Sequence, residues 1–399
     1  MSVLKKFKKK FISKLRRIRK HYRYKVYFPK VYSSYCTEPV QENKVLFLEM
    51  RFTKLSNSFE LIYKALEESG EYDLKCSYVQ FNFIRGREFT QRVNEMLKEL
   101  ATAKYVFVDD ASLILSSIPL RKETVAINLW HACGAFKKFG RSTAELKFGS
   151  SAATLDKYPN YGNLTHVTVS SPEVIWAYEE AMHLPKGIVK ATGVSRTDQF
   201  YDKDFVESRK EKLYDIMPEA KDKKIILYAP TFRDYGQVRL FPFDDFDLNR
   251  MEAFLEEHKM LLFIRTHIAE QGSAAPYLGK RIRFLGNEQA EDVTGILNIF
   301  DCLITDYSSI YIDYLLTDKS MIFLPYDRKE YLTGRGMNFD YDEVTPGPKP
   351  DTFQSFLDAL LTEDSHWKTE RDRVNLLFNE IHEPCCAQIC EQILKQIQK

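Results

Sequence analysis

Short apolar runs alternate with stretches of helical periodicity along most of this chain. Runs at residues 45–48, 75–80, 105–108, 124–129, 166–169 and 188–191 have the length and β-branched or aromatic content of buried strands. Between them, residues 58–68 put Phe59, Ile62, Tyr63 and Leu66 on one side of a helix, and residues 91–101 predict another. Pro172 stands where a helix running to Met182 would begin. A charged helical stretch at 204–214 and a loop around Pro218 then lead into a second series. Its predicted strands are 225–228, 261–265, 282–284, 302–304 and 321–324, with helices at 249–257, 293–300 and 310–318. Terminal helices are predicted at 353–361, 368–381 and 385–397. Residues 32–43, polar and broken by Pro39, predict a linker. Strand alternating with helix predicts parallel βαβ units, hence an α/β protein of two doubly wound domains, 36–203 and 215–399.

The first thirty residues follow another pattern. Leu4, Phe7, Phe11, Leu15 and Ile18 recur at helical spacing, with Lys and Arg filling the other faces. This segment holds thirteen of the 58 Lys and Arg and no acid, leaving 45 basic against 56 acidic residues elsewhere, a net of −11. A basic amphipathic helix at 1–30 is therefore expected to lie on an anionic membrane surface. A nucleic-acid-binding arm or a solvated tail fits less well, because neither uses the apolar stripe, and no nucleic-acid partner is expected. No apolar run has the length of a membrane span, and the N-terminus lacks the apolar core of a signal peptide. Seven scattered cysteines suit reduced, buried thiols. His382, Cys385, Cys386 and Cys390 are closely spaced, but the three cysteines fall on the predicted terminal helix, and no metal site or cofactor is expected.

Polar residues that follow apolar runs are the candidates for chemistry, since open α/β folds place ligands at the carboxyl ends of their strands. In the first half, the 124–129 strand runs into Trp130, His131 and Gly134, with Lys137 and Lys138 behind them. A histidine there can serve as a base or merely cap the strand end; the lysines could balance an anion, and the glycine allows close approach. In the second half, Thr231 and Arg233 follow one strand, Arg265 and His267 end another, and Asp306, Ser308 and Ser309 follow a third. These donors and cations suggest an anion cradle at the start of the 310–318 helix, where simple helix capping is the alternative. Arg335 lies in a later loop that could close on a ligand. Asp109 and Asp110 also end a strand, where such a pair is expected to be solvated or capping. No Walker loop, GxGxxG or HExxH motif is present.

The run Asn128-Leu129-Trp130-His131-Ala132-Cys133-Gly134 with Lys137-Lys138 resembles a segment of the CDP-glycerol glycerophosphotransferase family, the teichoic acid polymerases and primases. Further matches follow in family order: Ser170-Ser171-Pro172, Gly193-Val194-Ser195-Arg196, Ala229-Pro230-Thr231-Phe232-Arg233, Arg265-Thr266-His267, Asp306-Tyr307-Ser308-Ser309 and Arg335-Gly336. The resemblance spans roughly residues 120–350 and implies a GT-B-type fold, two Rossmann-like domains facing a cleft, with no essential metal. It implies a peripheral enzyme on the cytoplasmic face of the bacterial cell membrane. Such an enzyme moves glycerol phosphate or ribitol phosphate from CDP-glycerol or CDP-ribitol to a lipid-linked polyol-phosphate or saccharide acceptor and releases CMP. His131 would be the base. His267, Arg335, Thr231, Ser308 and Ser309 would hold the donor diphosphate, joined by Arg233, Arg265 and Asp306, while Gly134, Lys137 and Lys138 would meet the acceptor or another anion. A nucleotide-sugar glycosyltransferase or an inactive binding protein on the same fold are the alternative readings.

Overall fold

The computed structural model describes residues 3–147, 149–233, 238–266, 279–286, 293–362 and 365–395. The first sheet-forming series begins after two helices, α1 (Val3–Tyr22) and α2 (Phe28–Tyr35), joined by a π-helical turn, Arg23–Tyr27. It continues as β1 (Gln41–Glu49), α3 (Asn57–Ser69), β2 (Asp73–Tyr78), α4 (Gly86–Leu100), β3 (Ala103–Val108), β4 (Val125–Asn128), α5 (Ala152–Lys157), β5 (His166–Val169), α6 (Ile175–Met182) and β6 (Val189–Ala191). The strands form one sheet in the order β2-β1-β3-β4-β5-β6, parallel from β2 through β5. Its central strands are buried on both faces, as the unbroken apolar runs require.

The second series is α7 (Lys203–Ile216), β7 (Lys224–Ala229), α8 (Leu248–Glu257), β8 (Met260–Ile264), β9 (Ile282–Phe284), β10 (Cys302–Thr305), α9 (Ile310–Tyr314), β11 (Ser320–Phe323), α10 (Arg328–Arg335), α11 (Tyr341–Val344), α12 (Phe353–Leu361), α13 (Ser365–Asn379) and α14 (Cys385–Ile389). Its sheet is parallel throughout, ordered β11-β10-β7-β8-β9. Phe241, Phe243, Phe353 and Phe356 pack with Met251 and Leu255 over one face of this sheet.

Two expectations fail in instructive ways. Residues 32–43 are not a linker: α2 buries Phe28 and Tyr32 completely, and β1 already begins at Gln41. The i, i+4 spacing of Phe28 and Tyr32 makes one short apolar edge, and Pro29 preorganises the first turn. The Arg121 guanidinium then ties the end of α2 down by donating to the carbonyls of Cys36 (2.7 Å) and Glu38 (2.6 Å). The helix expected over 310–318 is α-helical for five residues only; it tightens to a 3₁₀ turn over Leu315–Thr317 and stops at Asp318, whose φ is +54°.

The chain divides into two compact units that interleave along the sequence. The first comprises Met1–His131, Ser150–Thr168 and Tyr178–Lys190; the second comprises Ala132–Gly149, Val169–Ala177 and Ala191–Lys399. Residues 132–149 and 169–177, which a simple boundary near 203 would leave in the first half, therefore group with the second.

Candidate functional site

In the first unit, β4 delivers its last residues to the carboxyl edge of the sheet. The Leu129 N–H bonds the Val108 carbonyl (2.8 Å), and the chain then turns through Trp130 at φ +56°. A bulky residue in the left-handed region is strained, and such strain persists only where the surroundings over-determine it. Here the Asn128 Oδ1 accepts the Trp130 N–H (2.8 Å), and the buried indole packs edge-on to Tyr178. The turn presents His131, half-buried and stacked on Trp130 with ring centres 4.6 Å apart. His131 Nδ1 lies 2.7 Å from the Asp109 backbone oxygen. A carbonyl can only accept, so Nδ1 carries a proton, and in the neutral ring the lone pair is on Nε2.

Behind the histidine sits a buried polar cluster. Asp109 is fully buried, and its Oδ2 accepts from Arg51 Nη2 and Ser56 Oγ, both at 2.7 Å. Glu49, also fully buried, accepts the backbone N–H groups of Arg51 (2.8 Å) and Phe52 (3.1 Å) on Oε1 and of Ser56 (3.2 Å) on Oε2. Burial, then the nearby Asp109 charge, pushes the Glu49 carboxyl up to about 7. Glu49 thus orders the loop after β1, that loop grips Asp109, and the Asp109 carbonyl orients His131. Asp109 is not the solvated or capping residue expected from sequence. The available signal was an acid, Glu49, closing an apolar strand with Arg51 two positions on.

In the second unit, Thr231, Arg233 and Asp306 meet at the ends of β7 and β10. Asp306, 2% exposed, accepts the N–H of Thr231 (2.8 Å) and of Tyr307 (2.6 Å) on Oδ1, and Arg233 Nη2 on Oδ2 (2.9 Å). Arg233 also donates to both oxygens of Asp327 (2.6 and 2.9 Å) and to the Thr231 carbonyl (2.5 Å), among the rings of Tyr307, Tyr326 and Tyr331. Both residues are thus engaged in shaping the turns. The hydroxyl of Thr231 is buried with no hydrogen-bond partner among the described residues. Ser308 and Ser309, two and three positions after Asp306, are half-buried. Arg265, 8% exposed, donates to the Leu285 carbonyl at the end of β9 (2.9 Å).

The segment after His131 is zipped to the loop after α10. Lys137 and Met337 form an antiparallel bridge, Lys138 N–H donates to the Gly336 carbonyl (3.1 Å), and Asn338 Nδ2 donates to the Ala135 carbonyl (2.8 Å). This brings the Lys138 side chain against Gly336, next to Arg335, whose guanidinium lies 5.5 Å from the Phe232 ring centre. Lys138 and Arg335 are thus brought together within the second unit, with Arg335 over the ring of Phe232, the residue after Thr231. Gly134 has a packing role: at φ +61°, an added Cβ would stand 2.8 Å from Ile312 Cδ1 and 2.9 Å from Phe378 Cδ1. His267, the second histidine expected, lies outside the described residues.

Residues 30–395 match the model of the CDP-glycerol:poly(glycerophosphate) glycerophosphotransferase family. The chain is 32% identical to the teichoic acid poly(ribitol-phosphate) polymerase of Bacillus spizizenii over 89% of its own length and 57% of that protein's. It is 31% identical to the teichoic acid ribitol-phosphate primase of the same organism, over 78% of this chain and 80% of the primase. It thus spans little more than half of the polymerase. Among solved structures, the wall teichoic acid polymerase TagF superposes with a TM-score of 0.72 at 19% identity, covering 97% of each chain. That likeness shows the same GT-B-like fold with two parallel sheets. The chain belongs to the CDP-glycerol:poly(glycerophosphate) glycerophosphotransferase family.

Proposed function

We propose that the chain transfers a polyol phosphate, glycerol phosphate or ribitol phosphate, from its CDP-linked form to a hydroxyl of a lipid-linked polyol-phosphate or saccharide acceptor in teichoic acid synthesis. The observation that carries the reading is the fixed tautomer of His131, with Nδ1–H bound by the Asp109 carbonyl and Nε2 left as a base. In this reaction the acceptor oxygen attacks the β-phosphorus of the donor and its proton passes to His131 Nε2. The bond from that phosphorus to the CMP oxygen breaks, and CMP leaves with the electron pair. The Thr231 hydroxyl, buried and without a hydrogen-bond partner among the described residues, and the Ser308 and Ser309 hydroxyls supply hydrogen bonds to the donor diphosphate. Arg335 and Lys138 offset the charge that grows on the leaving CMP. His267, three positions beyond β8, joins them, and Arg233 and Asp306 act by holding the Thr231 turn in place.

The same reading places the protein at the cytoplasmic face of a bacterial membrane. No helix among the described residues is long and apolar enough to cross a bilayer. On α1, however, Phe11, Leu15, Ile18 and Tyr22 lie along one face and are 38–58% exposed. A helix with that stripe and a basic remainder suits the interface of an anionic bilayer, where a lipid-linked acceptor would be met.

The test is nucleotide release with a lipid-linked polyol-phosphate acceptor, offering CDP-ribitol, CDP-glycerol and a set of UDP-sugars in parallel. The four relatives at 31–32% identity are all named for ribitol phosphate, which makes CDP-ribitol the first donor to try. Acceptor-dependent CMP release is the expected result. Release of UDP instead, or no release from any CDP-polyol, overturns the proposal.

A further inference from the structure

The most exposed large apolar side chain among the described residues is not on α1. It is Phe83, 70% exposed, at the tip of the loop between β2 and α4. Phe81, two positions before it, is 37% exposed. Exposed aromatic side chains on a loop tip are a cost in water unless they meet a partner.

The loop is built to hold them out. Phe81 N–H donates to the Met50 carbonyl (2.9 Å), while the N–H groups of Phe83 (3.0 Å) and Ile84 (3.1 Å) close on the Gln80 carbonyl. Gln80 is buried at φ +52°, and its side-chain oxygen accepts from Arg92 Nη1 (2.6 Å). Arg85 Nη1 reaches back to the Phe81 and Ile84 carbonyls. A phenyl ring on so braced a turn is presented at little entropic cost. Residues 79–87 contain Arg85 and Arg87, both exposed, and no acid; the next residue, Glu88, is paired with Arg92 Nη2 at 3.0 Å. Lys54, in the neighbouring loop after β1, is exposed as well.

The loop also adjoins the end of α1. Arg23, the residue after α1, stacks over Phe89 in the first turn of α4 at 5.3 Å, and Asn94 Nδ2 of α4 donates to the Tyr27 hydroxyl (2.9 Å). The exposed stripe of α1 ends at Tyr22, 58% exposed. Basic helix and aromatic loop therefore share one end of the first unit. It is the end where the parallel strands finish, because the loop follows β2 and His131 follows β4 of the same sheet.

We propose that the 79–87 loop is a second membrane contact, in which Phe83, with Phe81, enters the interfacial layer of an anionic bilayer while Arg85 and Arg87 face the headgroup phosphates. Aromatic rings with adjacent cations are the side chains that favour this layer. The inference rests on the reading of α1 as a membrane-surface helix and adds an orientation to it. Two contacts at one end of the unit set its strand-end edge, with His131, toward the bilayer. A single amphipathic helix would leave the body free to swivel.

The test uses the full chain and vesicles of phosphatidylglycerol, with phosphatidylcholine vesicles as the neutral arm. Phe83→Trp, with vesicles carrying brominated acyl chains, should show tryptophan quenching beyond that of the parent with its three tryptophans. Phe83→Ala should lower affinity for phosphatidylglycerol vesicles by roughly tenfold or more, the effect of removing one buried phenyl ring. Because Phe83 is exposed, neither change should alter the thermal melt. If the parent binds these vesicles but Phe83→Trp shows no added quenching and Phe83→Ala binds equally well, the loop contact is refuted and the α1 reading stands. If the parent does not bind them at all, both fall. Loss of acceptor use by Phe83→Ala with vesicle affinity unchanged would assign the loop to the acceptor chain and overturn the proposal.

Discussion

The histidine at the end of β4 allows a paired substitution that separates chemistry from architecture. An asparagine at this position can place its Nδ2 close to where the imidazole Nδ1 stands, so His131→Asn keeps a donor for the Asp109 carbonyl, now 2.7 Å away. His131→Ala removes that donor as well. Both lose the stack on Trp130, whose ring centre is 4.6 Å away. The hydrogen bond contributes about 1 kcal/mol and the stack ~0.5–1.5 kcal/mol. The Asn variant should therefore lose about 1 kcal/mol of stability and the Ala variant about 2 kcal/mol, each kcal/mol lowering Tm by roughly 2–4 °C for a unit of this size. Neither loss unfolds the protein at assay temperature. Turnover should respond differently: both variants lack a base, and both should lose ~10²–10⁴ in kcat. That is about 3–5 kcal/mol of barrier. Acceptor-dependent CMP release, measured beside a thermal melt, reads both quantities. If His131→Asn turns over within tenfold of the parent, or if activity across the two variants follows Tm, His131 is a structural residue and the assignment of the base fails.

Two predictions concern the supports around the site. The Glu49 carboxyl, raised from 4.5 to about 7, binds its proton more tightly folded than unfolded, so its contribution to stability is greatest below pH 4.5 and is lost as pH rises through 7. Urea unfolding should show the parent losing ground to Glu49→Gln between pH 5 and 8, and a difference that stays constant across that range would refute the linkage. Gly193→Ala would place a Cβ 2.2 Å from Cys385 Sγ at φ +83°. It should destabilise the second unit by about 2–5 kcal/mol, and an unchanged melt would show that α14 can yield.

The strands and most helices were legible because each is a short apolar run or a clear stripe, a pattern that local sequence carries by itself. What escaped depends on partners far away. The contribution of α2 rests on two aromatic residues in a basic and polar context, and their distant partners, α4 and Arg121, lie far along the chain. The candidates His131, Thr231 and Asp306 were picked out because they follow apolar runs, and they do stand just beyond the ends of β4, β7 and β10. Their division of labour was not. Arg233 carries a cation in any reading, but Asp327, 94 positions on, decides that its guanidinium is held within the fold. In the same way Arg51, 58 positions from Asp109, turns an apparently solvated acid into the support of the histidine.

The interleaving of the two units has a consequence for inheritance and engineering. Residues 132–149, which carry Lys137 and Lys138 immediately after the histidine, take their backbone partners from residues 336–338. A half-protein cut near residue 203 would keep the histidine but strip this segment of its template. A chimera exchanging only residues 215–399 with a relative would pair one parent's lysine segment with another parent's loop. The proposed donor site is therefore not a module that recombination can move with the second half alone. Residues 132–149 and 169–177 would have to travel with it, which ties the history of the proposed base's own neighbourhood to that of the unit proposed to hold the nucleotide.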